Sequence, residues 1–252
     1  MFRVIRQLIR NTKDPLHTRE GDETPHNAED SHIEDLYRTR PYMEAYCQHT
    51  NMRVAKDPHS AVGGMWEHIG KLQFNFLTDN GLTPDSSLLD IGCGTLRGGR
   101  FFIRCLNPNR YTGIDISPAA IEYAKRLVCD ENLVGKRPRL LVSHDRDLRF
   151  RQFAGESFDF ILAQSVFTHL RQEHIEECFE HIGHIMTHTS RFFFTYNEAG
   201  RLEQRTIKDF SQSFSFFVGL AAKHGFILED LSHNYDHPRG QKMLKITRRP
   251  GR

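Results

Sequence analysis

The stretch "LLDIGCGTLRGG", residues 88–99, decides the fold of this chain. It joins an apolar run, one acidic residue and a loop with four glycines. A glycine-rich loop between a strand and a helix lets the backbone pass close to a ligand and lets the helix pack near the sheet. The stretch therefore predicts a site for a nucleotide-like ligand.

Short apolar runs alternate with helical segments on both sides of this loop. The predicted strands are residues 87–91, 110–114, 139–143, 158–163, 191–195, 226–231 and 242–247. The predicted helices are residues 64–77, 98–106, 118–128, 172–186 and 209–224. This alternation predicts an α/β fold with a doubly wound, mostly parallel seven-stranded sheet, an antiparallel last strand and additional N-terminal helices. In such a sheet the ligand lies at the carboxyl ends of the strands.

Two acidic residues indicate which ligand the loop holds. Asp90 stands two positions before Gly92, where its charge would repel a pyrophosphate and attract an ammonium group. No Lys-Ser or Lys-Thr pair follows the glycines, which argues against a nucleoside triphosphate loop. Asp115 ends the second predicted strand, where an acidic residue typically binds ribose hydroxyls. The alternative for Asp115 is a helix cap, a role that Ser117 fills better. A ligand with a ribose, an amino group and no phosphate is S-adenosylmethionine.

Three motifs resemble those of class I S-adenosylmethionine-dependent methyltransferases, and the resemblance covers roughly residues 60 to 248. "LLDIGCGT" is similar to the first motif of that family, "GIDIS" to the second and "FDFILAQSVFTHL" to the segment of the fourth strand. "GCGTLRGG" and "HPRGQKM" resemble a bacterial subgroup with the pattern GCGxLRGG and HPRGQ. The Pro-Gly-Gly turn that usually precedes the fifth strand is replaced by "THTSR".

The resemblance implies a Rossmann-like fold and a set of cofactor-binding residues. In it Asp90 and the loop after it hold the methionine moiety, and Asp115 binds the ribose. Ile116 flanks the adenine, Asp145 after the third strand reaches the adenine amino group, and Gln164 lies against the cofactor after the fourth strand. The residues that the resemblance assigns to the cofactor are Asp90, Gly92, Cys93, Gly94, Asp115, Ile116, Asp145 and Gln164.

Candidates for catalysis follow the fourth and fifth strands. His169 would act as the general base if the acceptor is a hydroxyl, and its alternative role is a helix cap or a core hydrogen bond. Tyr196, with Glu198 near it, would position the substrate after the fifth strand, unless these residues only form a turn.

Two further residues are candidates for the substrate side. Trp66 follows the Gly63-Gly64 pair, so its helix is expected to close over the cofactor as a lid, and the alternative is an aromatic anchor in the core. Arg239 would offer its donors to a carboxylate or phosphate of the substrate, or else hold a structural hairpin.

Composition limits the classes of function. The chain has 252 residues, with 34 basic and 32 acidic side chains and a formal charge of +2, so no nucleic-acid partner is expected. Five dispersed cysteines and the lack of a long apolar run favour a cytoplasmic protein. The helical spacing of His181, His184 and His188 could bring two imidazoles onto one face, as a metal site requires. No carboxylate or cysteine joins them in a recognised ligand pattern, so a solvated face is favoured and no metal is predicted.

The chain divides into three predicted parts. Residues 1–30 form a basic helix, "MFRVIRQLIR", and a polar linker, residues 31–82 a helical lid region, and residues 83–252 the domain that binds S-adenosylmethionine. The basic helix could touch a membrane surface, act in targeting or pack on the domain. The oligomeric state stays open.

Together these features predict a methyltransferase that transfers a methyl group from S-adenosylmethionine to an oxygen of a small-molecule acceptor. Two alternatives remain: an RNA or protein methyltransferase, and a noncatalytic cofactor-binding subunit that acts through a partner. The near-neutral charge and the lack of a basic, aromatic groove argue against RNA.

Overall fold

The computed structural model describes residues 28–250. The predicted basic helix of residues 1–10 lies outside the described residues. The helices are α1 (Ala28–Thr39), α2 (Tyr42–Lys56), α3 (Pro58–Ala61), α4 (Trp66–Asp79), α5 (Gly99–Cys105), α6 (Pro118–Asp130), α7 (Gln172–His181) and α8 (Phe214–His224). The strands are β1 (Leu88–Ile91), β2 (Tyr111–Asp115), β3 (Arg139–Val142), β4 (Phe160–Ala163), β5 (Arg191–Tyr196), β6 (Glu203–Gln204), β7 (Phe210–Ser211), β8 (Phe226–Asp230) and β9 (Lys242–Arg248).

Seven of these strands form one sheet in the order β3-β2-β1-β4-β5-β9-β8. The first five in this order are parallel, and β9, the last strand of the chain, lies antiparallel to both β5 and β8. The strand order reverses at β1 and β4, which is the switch point where such sheets bind ligands. The predicted doubly wound Rossmann-like fold is confirmed.

Both faces of the sheet are buried, as a parallel sheet requires. Successive side chains of a strand point to opposite faces, so Phe192 and Phe194 of β5 enter one core cluster and Phe193 enters the other. Phe193 stacks on Phe160 of β4 with ring centroids 6.1 Å apart. The apolar residues that predicted these strands therefore contribute to the two hydrophobic core clusters.

The N-terminal helix α2 lies over the carboxyl edge of the sheet. The Asn51 side-chain oxygen accepts a hydrogen bond from the Ser117 hydroxyl at 2.6 Å, at the start of α6. The Tyr42 hydroxyl donates to the backbone oxygen of His169 at 2.7 Å, after β4. Because both partners follow strand ends, α2 is fixed above the place where a ligand would bind.

Two predicted helix boundaries were wrong. Residues 210–211 do not start a helix but form β7, which pairs with β6, and α8 begins only after Ser213, whose hydroxyl accepts a hydrogen bond from Phe216 N. The helix predicted over residues 172–186 ends at His181, and a 3₁₀ turn follows it over Ile182–Ile185. Within residues 28–250, no helix is both long enough and apolar enough to cross a membrane.

Candidate functional site

A cavity of about 770 Å³ lies at the carboxyl ends of β1, β2, β4 and β5, beneath α2. Its walls come from the glycine loop after β1, the ends of β2 and β3, residues 164–170 after β4, and the segment after β5. Six residues of α2 and the turn of residues 60–64 complete it. Small-molecule sites commonly measure roughly 300–1,000 Å³, so the cavity has room for a ligand of cofactor size and more.

Two glycines with positive φ shape the part of the glycine loop that directly follows β1. Gly92 and Gly94 have φ values of 68° and 54°, which other residues rarely adopt. A Cβ atom at Gly92 would lie 2.6 Å from Val166 Cγ2, and one at Gly94 would lie 2.6 Å from Val62 Cγ1. The loop therefore passes tightly between the segment after β4 and the turn before α4.

Asp90 is a buried carboxyl group with few partners. The Tyr111 hydroxyl donates to Asp90 Oδ2 at 2.7 Å. Burial raises the pKa of Asp90 to about 7, and the Tyr111 hydrogen bond opposes that shift without overcoming it. A cationic group in the cavity would stabilise the charged form of Asp90.

Asp115 lies at the end of the neighbouring strand and is held by the backbone. Its Oδ2 atom accepts a hydrogen bond from Gly94 N at 2.9 Å and its Oδ1 atom one from Ser117 N at 2.8 Å. Burial raises the pKa of Asp115 although these hydrogen bonds oppose it. Ser117 caps α6 with its hydroxyl, which accepts from Ala120 N at 3.0 Å, so the carboxylate of Asp115 is left to face the cavity.

His169 forms a dyad with Asp209 on the other side of the cavity. The Nδ1 atom of His169 lies 2.9 Å from Asp209 Oδ1. A carboxylate only accepts hydrogen bonds, so Nδ1 carries the proton and Nε2 keeps its lone pair. Burial lowers the pKa of His169 although the Asp209 hydrogen bond opposes this, so the ring is neutral at neutral pH. The ring can therefore accept a proton from a ligand in the cavity.

Asp209 is more strongly stabilised than the other acidic residues of the site. Burial alone would raise the pKa of Asp209, but hydrogen bonds from His169 and Thr206 and the charge of Lys208 hold it well below its ordinary value. Asp209 is thus ionised and orients the His169 ring.

A polar network connects β4, β5 and β9 beside this dyad. The Gln241 Oε1 atom accepts hydrogen bonds from Ser165 Oγ and Thr195 Oγ1, both at 2.9 Å, and from Gln164 Nε2 at 3.1 Å. The Tyr235 hydroxyl donates to Gln164 Oε1 at 2.6 Å. The side chain of Gln164 is thereby held in the cavity wall at the switch point.

Nine residues singled out from the sequence line the cavity together. They are Asp90, Gly92, Cys93, Gly94, Asp115, Ile116, Gln164, His169 and Arg239. Three others, Asp145, Tyr196 and Trp66, do not line it.

Asp145 points away from the cavity. Its side chain is 69% exposed, and Oδ2 lies 3.6 Å from Arg151 Nη1. The chain turns at Arg146, which has a φ of 53°, so Asp147 and Leu148 line the cavity after β3 instead.

Tyr196 belongs to the core and not to the site. Its ring lies 4.7 Å from that of Phe217, and its hydroxyl donates to Glu198 at 3.2 Å. Because side chains alternate along a strand, the following residue, Asn197, faces the cavity in its place.

Trp66 packs on the outer side of the N-terminal helices. Its ring stacks on His59 at a centroid distance of 3.9 Å, and the Arg100 guanidinium lies 5.1 Å from the ring. The cavity is bounded by residues 60–64 before it, so Trp66 does not contribute to an acceptor pocket.

The helix α2 and the turn of residues 60–64 lie over the cavity and together form its cover. Arg239 contacts this cover. Its Nη2 atom donates to the backbone oxygen of Gly63, a contact that neither role considered for it includes, and the side chain also lines the cavity. Arg97 holds the same turn, because its Nη1 atom donates to Val62 O at 2.5 Å and to Gly64 O at 3.1 Å.

The sequence reasoning missed several residues of the site. Tyr46 and Arg53 lie seven positions apart on α2, so helical spacing could have placed them on one face. The Tyr46 ring lies 5.5 Å from that of His169, and its hydroxyl makes no hydrogen bond within residues 28–250. Asp209 was taken as the start of a helix, and no local pattern indicates that it reaches a histidine after β4.

Comparisons with known proteins agree with this geometry. Residues 89–192 match a family described as a methyltransferase domain. The uncharacterized methyltransferase YodH of Bacillus subtilis (strain 168) is 30% identical over 114 residues, which are 44% of this chain and 46% of that protein. The chain thus aligns with about half the length of this curated relative.

Solved structures share the fold at low sequence identity. Magnesium protoporphyrin IX methyltransferase from Synechocystis PCC 6803, solved with bound SAM, superposes with a TM-score of 0.62 at 14% identity, over 84% of this chain and 99% of that chain. The [4+2]-cyclase SpnF superposes with a TM-score of 0.63 at 16% identity, over 84% of this chain and 98% of that chain. These likenesses establish the fold.

Proposed function

We propose that this protein is an S-adenosylmethionine-dependent methyltransferase that acts on an oxygen of a small-molecule acceptor. The observation that carries the proposal is the pair of buried carboxyl groups, Asp90 and Asp115, at the ends of neighbouring strands around one glycine loop. The match of residues 89–192 to a methyltransferase domain supports it.

The residues present fit this cofactor. Asp90 would pair with the ammonium group of the methionine moiety, since its desolvated carboxyl group has one hydrogen-bond donor among the described residues. Asp115 would accept hydrogen bonds from the ribose hydroxyls. Ile116 and Leu148 offer apolar walls for the adenine ring, and Asp147 takes the position expected for Asp145.

Methyl transfer to a hydroxyl requires this chain to align the acceptor with the cofactor and to remove one proton from the acceptor. When bound, the cofactor supplies an electrophilic methyl group on its sulfonium. His169 would take the proton of the acceptor hydroxyl at Nε2, because Asp209 holds its Nδ1–H. The remaining residues orient the acceptor and exclude water beneath α2.

The site favours a small acceptor over a macromolecule. The cavity lies between the sheet and α2, and α2 is tied to the loops after β2 and β4. A nucleic acid or a protein side chain would need a passage past these helices. The shared fold with a [4+2]-cyclase means that turnover, and not the fold, must decide the reaction.

The test is a turnover assay with methyl-labelled S-adenosylmethionine and an extract of small metabolites, read by mass spectrometry. We expect one acceptor to gain a labelled methyl group on an oxygen. Calorimetry should detect binding of S-adenosylhomocysteine and none of NAD. Tight binding of NAD without binding of S-adenosylhomocysteine would overturn the cofactor. Cofactor binding without turnover by the isolated chain would favour a noncatalytic subunit.

A further inference from the structure

Positive charge collects on the side of the cavity beyond β4. Arg53 reaches it from α2, and Arg205 and Lys208 reach it from the turn of residues 205–209 after β5. This turn is closed by a hydrogen bond from Arg205 N to Asp209 O at 2.7 Å. Two separate elements thus bring three cations to the wall that also holds the His169–Asp209 dyad.

The two arginines of this group have no acidic partner within residues 28–250. Arg53 Nη2 donates to the backbone oxygen of Ser60 at 2.7 Å, which leaves its charge unbalanced. The exposed side chain of Arg205 makes no hydrogen bond or ion pair within the described part of the chain. A cation in a cavity without a carboxylate partner is available to an anionic ligand.

The acidic residues of the cavity are already engaged elsewhere. Asp209 is the carboxylate nearest these cations, and it binds His169, Thr206 and Lys208. Asp147 lies on the side of β3, where Arg151 contacts it at 3.5 Å. Within residues 28–250, the surplus positive charge beyond β4 is therefore not balanced by acidic side chains. The charges of Arg53 and Arg239 contribute to a lowered pKa of Lys208, of which burial is the largest cause, as expected for cations that lie close together.

The cofactor does not account for this surplus either. It would bring a single carboxylate on its methionine moiety, beside Asp90 and the glycine loop. Arg97 lies in that loop and faces the same cavity, so it is the cation at that end. Arg53 and Arg205 remain for the second ligand.

We propose that the acceptor is an anionic small molecule whose carboxylate or phosphate group is held between Arg53 and Arg205, beside Lys208. The anion anchors the acceptor so that its hydroxyl reaches His169. This inference rests on the proposed function, because it names the class of acceptor of the same site. An arginine fork suits both carboxylate and phosphate, so the shared chemistry is a small oxyanion.

The test measures anion binding to the full-length protein saturated with S-adenosylhomocysteine, by calorimetry. The probes are benzoate, inorganic phosphate and the neutral benzamide. We expect saturable, salt-sensitive binding of benzoate or phosphate, and binding of benzamide at least about tenfold weaker, which is the loss of one charge-assisted interaction. The stronger of the two anions identifies the group that the site prefers.

Substitutions assign the binding to this wall. Arg205→Gln should weaken binding of the preferred anion by about tenfold or more, and Arg205→Lys should retain most of it. The matched control is Arg201→Gln, an exposed arginine of the same segment that does not line the cavity, and it should bind like the unaltered protein. Unchanged affinity for S-adenosylhomocysteine in Arg205→Gln would show that this variant folds.

Three results would overturn the inference: equal binding of benzamide, unchanged anion binding by Arg205→Gln, or no anion binding at millimolar concentration. In the turnover assay, the acceptor should be retained on an anion-exchange column at neutral pH, and an uncharged acceptor would also overturn it. Failure of the proposed function has a different signature, namely no binding of S-adenosylhomocysteine while benzoate or phosphate still binds.

Discussion

The buried carboxyl groups of the site differ in how many hydrogen bonds they receive from the protein. Asp209 receives hydrogen bonds from the side chains of His169, Thr206 and Lys208, so its pKa falls well below the ordinary value. Among the described residues, the Tyr111 hydroxyl is the one hydrogen-bond donor to the Asp90 side chain, and burial raises the pKa of Asp90 to about 7. An unsatisfied buried carboxyl group is costly to stability. The cost is explained if a cationic ligand completes the environment of Asp90.

The affinity for S-adenosylhomocysteine should depend on pH through Asp90. Below its pKa of about 7 the free protein holds Asp90 protonated, and the ligand's ammonium must displace that proton. Affinity should therefore fall as the pH is lowered from about 7.5 to about 5.5, with proton release on binding. Asp90→Asn should weaken binding by about 1.5–3 kcal/mol at pH 7.5 and remove most of this pH dependence.

Calorimetry in two buffers with different ionisation enthalpies measures both the affinity and the released proton. Asp85→Asn is the matched control, because Asp85 is exposed, accepts a hydrogen bond from Asn107 and does not line the cavity. A wild-type affinity that is flat over this pH range would contradict the role given to Asp90.

His169 and Asp209 should affect turnover and not cofactor binding. His169→Ala should lower kcat by roughly two orders of magnitude or more, since general base catalysis typically contributes that much. Asp209→Asn should lower kcat by roughly tenfold or more, because the correct tautomer of His169 is no longer enforced. Loss of the Asp209 charge also lowers the pKa of His169 further, so the acidic limb of the kcat profile should move to lower pH.

The measurement is kcat and KM against pH for the acceptor found in the turnover assay, with S-adenosylhomocysteine affinity as the control for folding. A purely structural role of Asp209 would lower the amount of active protein without moving the acidic limb. Normal turnover by His169→Ala would mean that alignment alone suffices.

At the scale of elements, local pattern predicted the sheet and a helical region over residues 31–82, but not which residues of that region line the cavity. The apolar runs located all seven strands of the main sheet, because each strand carries its own run of apolar residues. The glycine loop and the acidic residues at the strand ends could also be recognised from the sequence. The cover depends on contacts between distant residues, such as Tyr42 with His169, 127 positions apart. No periodicity reveals which distant residues meet, so the contacts of Tyr46 and Asp209 with His169 were missed. Trp66 was expected beside a cavity that it does not line.

Val62 of the cover lies against the glycine loop, so a side chain at Gly94 would clash with it. Gly94→Ala should lower the free energy of unfolding by about 1–3 kcal/mol, through strain at a φ of 54° and the clash with Val62 Cγ1. Adding Val62→Ala should relieve the clash but not the strain, so the double variant should recover part of the loss.

Denaturant unfolding measures these differences. The matched control is Gly219→Ala in the middle of α8, where a Cβ meets nothing within 4 Å, and it should raise stability by up to about 1 kcal/mol. If the double variant were as unstable as Gly94→Ala alone, the cover would not press on the loop.

At the scale of the whole molecule, the site lies between two parts that the chain supplies far apart in sequence. The sheet contributes the strand ends, and α2 with the turn before α4 contributes the opposite wall. A ligand in this cavity would contact both parts at once. Binding should therefore stabilise the docking of α2, because a ligand that binds only the closed arrangement shifts the equilibrium toward it.

Saturation with S-adenosylhomocysteine should slow amide hydrogen exchange in α2 and in residues 205–209, and should leave α8 and β8 unchanged as internal controls.

Trp66 fluorescence, by contrast, should stay constant, because its ring stacks on His59 and does not line the cavity. Six side chains of α2 face the ligand directly, so α2 and not the Trp66 helix would act as the closing element. If Trp66 emission changed saturably while hydrogen exchange in α2 stayed the same, α4 and not α2 would be the element that closes over the ligand. A variant that lacks residues 1–27 should give the same exchange pattern, since described residues supply both walls of the cavity.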